Sequence, residues 1–168
     1  MRPSHGPCRS IAPMERRFPE VVGSSLSGTA HRLPHTLGGE RNLLLIAFKQ
    51  RQQADVDTWV PVADALADEY HDFRAYELPV ISQLYRPASE FIDGGMRGGI
   101  PDLDVREATI TLYLNRKQFL SDLGIPSVHA IVPMLVTPGG TILWRATGPR
   151  TRDSESRLRD AMADRSLS

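Results

Sequence analysis

The sequence predicts an α/β domain: a central mixed β-sheet flanked by helices on both faces. Three features carry that expectation. Leu43 to Phe48 is an apolar run of six residues bounded by polar turns, the pattern of a strand buried on both faces near the centre of a sheet. Helical spacing then alternates with strand-like segments, in the order βββαβαβαββα. Finally, Pro138-Gly139-Gly140 joins Ile131 to Thr137 and Thr141 to Thr147 as a hairpin.

Composition narrows the function classes. The 168 residues suffice for one domain. Twenty Lys+Arg balance 20 Asp+Glu, so no bulk field exists to hold nucleic acid or an anionic membrane. No apolar run approaches a membrane span. We therefore expect no nucleic-acid and no membrane partner. Cys8 is the one cysteine, which excludes an internal disulfide, a CxxC pair and a thiolate-rich metal site. His31 and His35 are four apart, but Pro34 opposes the helix that would align them. No metal site is expected, and nothing calls for a cofactor. Localisation defaults to the cytoplasm, and the oligomeric state is not legible.

Residues 1–17 read as a disordered tail: arginine-rich, with Pro3, Pro7 and Pro13 and no acid before Glu15. A targeting segment and a true start at Met14 are the competing readings. The domain is expected over 18–168. Val21 to Leu37 reads as a short hairpin turning at Ser24 to Gly28. After the strand at Leu43, apolar residues from Val56 to Tyr70 recur at helical spacing. Asp55 is a candidate cap there, and Pro61 is expected to kink the helix. Phe73 to Leu78 is a strand that Pro79 should stop. Pro87 to Met96 is a helix candidate, Thr109 to Leu114 a strand, and Lys117 to Leu123 a short helix ending at Gly124. Arg152 to Met162 is an amphipathic helix.

The order and spacing of several segments over roughly residues 18–164 resemble the thioredoxin-like superfamily, in particular its redoxin (peroxiredoxin and TlpA-like) branch. The opening Phe18-Pro19-Glu20-Val21-Val22-Gly23 resembles the redoxin N-terminal extension. Phe48 and Pro61 stand 13 apart, the spacing of that family's strand-end Phe and helix-kinking Pro. Leu123-Gly124-Ile125, Val132-Pro133 and the hairpin Met134 to Gly148 complete the match. The resemblance implies a cis-proline at Pro133 and family cysteines at Gln53 and Val56, where this chain has no sulfur. Thiol chemistry needs a thiolate at the helix N-terminus, so the redox activity is not expected to transfer. No catalytic residue is assigned.

What remains is recognition. Lys49-Gln50-Arg51-Gln52-Gln53 lies at the carboxyl edge of a buried strand, the usual address for ligands in an open α/β sheet. Lys49, Arg51, Gln52 and Gln53 are thus candidates for binding an anion or an extended peptide, or for a plain solvated loop. The resemblance places Val132 and Pro133 opposite that loop, where a cis-proline exposes backbone for a substrate chain; a purely structural role is the alternative. Arg97 and Asp102 belong to the glycine-rich stretch Gly94 to Asp102, read either as a helix cap with local ion pairs or as a binding loop. Glu77, just before Pro79, reads as an exposed strand acid or a partner of Arg97. The leading expectation is a redox-inactive module binding a protein or peptide. Its rival is a small-molecule binder or thiol-independent enzyme using Lys49, Arg51, Gln53 and His129, which requires a concave pocket and perturbed pKa values.

Overall fold

The structure is a computed structural model that describes residues 16–83 and 108–167. A hairpin of β1 (Val21–Ser25) and β2 (Ala30–Leu33) leads to β3 (Arg41–Ala47). Helices α1 (Gln53–Asp57) and α2 (Val60–Glu69) follow, then β4 (Phe73–Ser82) and β5 (Ile110–Leu114). Helix α3 (Arg116–Leu123), strands β6 (Val132–Val136) and β7 (Ile142–Arg145), and helix α4 (Arg152–Ala163) complete the chain. The seven strands form one sheet in the order β2-β1-β5-β4-β3-β6-β7. Parallel pairing joins β3 to β4 and β4 to β5, whereas β6 runs antiparallel to β3. This is the mixed α/β sheet that the sequence predicts.

The apolar run makes sense in this setting. Even-numbered Leu44 and Ile46 pack with Leu78, Val80, Ile110, Leu112 and the α3 residues Phe119 and Leu123. Odd-numbered Leu43 and Leu45 pack with Val56, Trp59, Val62 and Leu66, and with Leu158 and Met162 of α4. Side chains alternate across a strand, so helices on both faces demand apolar residues at every position. Each such leucine, fully buried, is worth about 1.5–3 kcal/mol.

Three prolines behave differently from expectation. Pro61 sits in the first turn of α2 and divides the expected single helix into α1 and α2, because a proline lacks a donor that a first turn does not need. Pro79 does not stop β4, which runs on to Ser82. Its missing N–H falls at a change of partner: β4 pairs with β3 as far as Pro79 and with β5 from Val80 onward. Pro133 does not follow a cis bond; the cis bond among the described residues is Leu33-Pro34. Pro133 is instead an interior residue of β6 in register with Leu45, and its carbonyl accepts from the Ala146 N–H at 2.9 Å.

Local chemistry sets the element ends. Asn115 caps α3 by accepting from the Gln118 N–H, and Gly124 closes it with φ of 62°. Thr151 and Ser154 form a reciprocal cap on α4. The chain enters the domain through Arg17, which bridges to Thr141 and donates to the Gly139 carbonyl at 2.7 Å. The expected helix Pro87–Met96 and the glycine-rich stretch lie outside the described residues.

Candidate functional site

The loop leaving β3 is held by one buried amide. Beyond Ala47 the backbone turns into α1, leaving the N–H groups of Phe48 and Lys49 without strand partners. The side-chain oxygen of Gln52 accepts from both, at 2.8 and 3.2 Å. Its nitrogen donates to the Val128 carbonyl at 2.8 Å, tying this loop to the segment that enters β6. Gln52 is only 3% exposed. Its amide is committed to the backbone, which makes it a clamp that shapes the loop and leaves it no surface to offer a ligand.

Gln53 is exposed at the start of α1 and donates to Asp57 Oδ1 at 3.0 Å. It also hydrogen-bonds Glu77, which rises from β4 beneath the loop. Glu77 is half-buried, which corrects the expectation of an exposed strand acid: its neighbours along one face of β4, Phe73 and Ala75, pack into the α1–α2–α4 layer. Burial pushes the Glu77 carboxyl above its ordinary value; the Gln53 hydrogen bond opposes this, and the nearby Asp57 charge adds to it. Val56 is 1% exposed within the core. Trp59 behind it meets Trp144 edge-on at 5.7 Å and donates to the Gly148 carbonyl at 3.2 Å.

Of the predicted site residues, Lys49, Arg51 and Gln53 reach the carboxyl edge of β3, with Lys49 half-buried and the other two exposed. Val132 and Pro133 are both buried and in register with Ile46 and Leu45, so their backbone belongs to the sheet interior. His129 is exposed, and its backbone N–H bonds Ser127 Oγ at 3.0 Å. Arg97 and Asp102 lie outside the described residues. The sequence reading missed Arg116, whose guanidinium carbon sits 6.0 Å from the centre of the Phe48 ring. The signal was available: Asn115 caps a helix directly after a strand, which places Arg116 at the same edge.

Among the described residues, no group of three or more His, Cys, Asp or Glu side chains is placed to hold a metal ion. No helix there is long and apolar enough to cross a membrane. A shallow groove lies between the α1–α2 junction and α4, lined by Thr58, Pro61, Val62, Arg150, Glu155 and Arg159. None of Lys49, Arg51, Gln53 or His129 lines it.

No family model and no curated protein matches the sequence. Solved structures do. BsSco, a member of the Sco family of cytochrome c oxidase assembly proteins, matches with TM-score 0.63 and 16% identity over 94% of this chain and 98% of its own. The thioredoxin domain of a thiol-disulfide oxidoreductase from Bacteroides vulgatus matches with TM-score 0.57 and 15% identity, over 91% and 99% of the two chains. The fold is thioredoxin-like. A putative electron transfer protein from Aquifex aeolicus VF5 adds a TM-score of 0.64 at 12% identity, over 89% and 96%. Identities at this level establish the thioredoxin-like architecture and leave activity to the residues themselves. In this chain the lone cysteine, Cys8, precedes the described domain.

Proposed function

We propose that this thioredoxin-like domain is redox-inactive and acts as a recognition module, binding a protein or peptide at the carboxyl edge of β3. One observation carries the reading. The two positions assigned to sulfur by resemblance hold Gln53, hydrogen-bonded to Asp57 and Glu77, and Val56, packed in the core. An amide neither attacks a disulfide nor carries electrons, and a buried valine is inert. Electron transfer through sulfur therefore has no carrier in the domain. The edge itself is retained, with Lys49 and Arg51 on the loop that Gln52 holds in shape. An assembly role without thiol exchange suits this arrangement, and an assembly protein is among the structures the fold resembles.

The experiment is a pair of turnover assays on the full chain: reduction of insulin by a dithiol, and consumption of peroxide with a thioredoxin system. Background rates are expected in both. Turnover that disappears in Cys8→Ser overturns the reading, because it would restore a sulfur-based activity.

A further inference from the structure

We propose that the carboxyl edge, on the side of the sheet covered by α3, receives an acidic extended segment of a partner protein through Lys49, Arg51, Arg116 and Lys117. The inference deepens the recognition reading above and rests on it. Two of these cations leave the end of β3, and two leave the end of β5. Those strands flank β4 in the sheet. Arg116 leans back across the gap to lie over Phe48, the residue before Lys49, which brings the two pairs to one edge.

Among the described residues these cations have no ion-pair partner. None of the four side chains makes a hydrogen bond or ion pair with a described residue. Several cations elsewhere are used internally: Arg41 by Asp72, Arg150 and Arg159 by Glu155, and Arg157 by Asp153. Two of the described acids near this end of the sheet are already engaged. Glu77 and Asp57 meet through Gln53 on the α1 side. On α3, Asp122 accepts from Gln118 at 2.7 Å.

Dimensions choose the occupant. Strand ends two places apart in a sheet are separated by about 10 Å, and an extended chain advances about 3.3 Å per residue. The span suits about three residues of extended peptide and exceeds a single phosphate group. Side chains of aspartate or glutamate along such a segment would meet cations from both strand ends. Charge complementarity of this kind sets partner choice and association rate.

Fluorescence anisotropy with two labelled peptides tests this, one of alternating Glu and Ser, the other of alternating Gln and Ser. The Glu peptide should bind the full chain, with affinity falling as salt rises. Arg51→Glu and Arg116→Glu should each weaken it about tenfold, whereas Arg152→Glu on α4 should leave it unchanged. Arg51 is exposed, so its variant reads the charge with little effect on the core. Equal binding of both peptides overturns the acidic specificity while leaving a peptide-binding module standing. Binding of neither overturns the proposal, and so does displacement by pyrophosphate at matched ionic strength, which would mark a small-anion site. The turnover assays above report on the redox-inactive reading separately.

Discussion

The corner where α4 meets the sheet and the carboxyl edge of β3 and β5 use similar side chains to opposite ends. At the corner, Arg159 joins Glu69 and Glu155, and Arg150 meets Glu155 from the other side. Close by, the Arg41 guanidinium forks onto Asp72, donates to the Met162 carbonyl and covers the Tyr70 ring at 5.0 Å. Each charge there finds its complement within the chain. At the edge, among the described residues, cations stand without anions and the half-buried Glu77 carboxylate meets an amide in place of a cation. Charges that are satisfied internally serve the fold. Those left unsatisfied are what the molecule can present to something else.

Breaking the clamp at the edge should have the largest effect on stability. Gln52→Ala leaves two N–H groups and a carbonyl without partners, a cost of about 3 kcal/mol, read as a drop in the urea midpoint. At the corner, Arg41→Ala strands Asp72 and removes the tie to α4. Because Asp72 remains partly solvated, about 2 kcal/mol is expected, measured the same way.

Two carboxylates sharpen the contrast through pH. Glu77 titrates above its ordinary value of 4.5. The unfolded chain gives up that proton first, so native stability is fully present below the ordinary value and declines as pH rises through the raised one. Glu77→Gln should remove this slope, matching the parent in acid and surpassing it toward neutrality. Glu155 behaves in the reverse sense. Hydrogen bonds from Arg150 and then Arg159 hold it below its ordinary range, so its contribution is present at neutral pH and is lost as pH falls through the lowered value. Urea midpoints between about pH 2 and about pH 8 separate the two slopes. The smallest effect belongs to Arg159→Ala, about 0.5 kcal/mol for exposed pairs, shrinking further when salt is added.

Much of this architecture was legible from residue order. The run at Leu43, the hairpin at Pro138 and the stop at Gly124 declare themselves, because burial on two faces and left-handed turns restrict residue choice strongly. What the sequence hid was partnership. Pro79 looked like a stop until β4 was seen to change neighbours at that residue. Pro133 looked like a cis-proline before its pairing with Leu45 placed it inside a strand. Gln52 and Gln53 are adjacent and chemically identical, yet one is a buried clamp and the other an exposed link between two acids. Only the direction of each side chain relative to the sheet separates them, and a single sequence carries no such direction. Arg116 escaped notice because its relation to Phe48 spans two strands and a crossover.

The bridge between Arg17 and Thr141 has a practical corollary. Val136, which leads into the β6–β7 turn, is in register with Asn42 at the start of β3, so that turn marks the pole remote from Lys49. A surface tether attached ahead of Arg16 would therefore grip the molecule from behind, and an immobilised chain would turn its cation-bearing rim outward to whatever flows past.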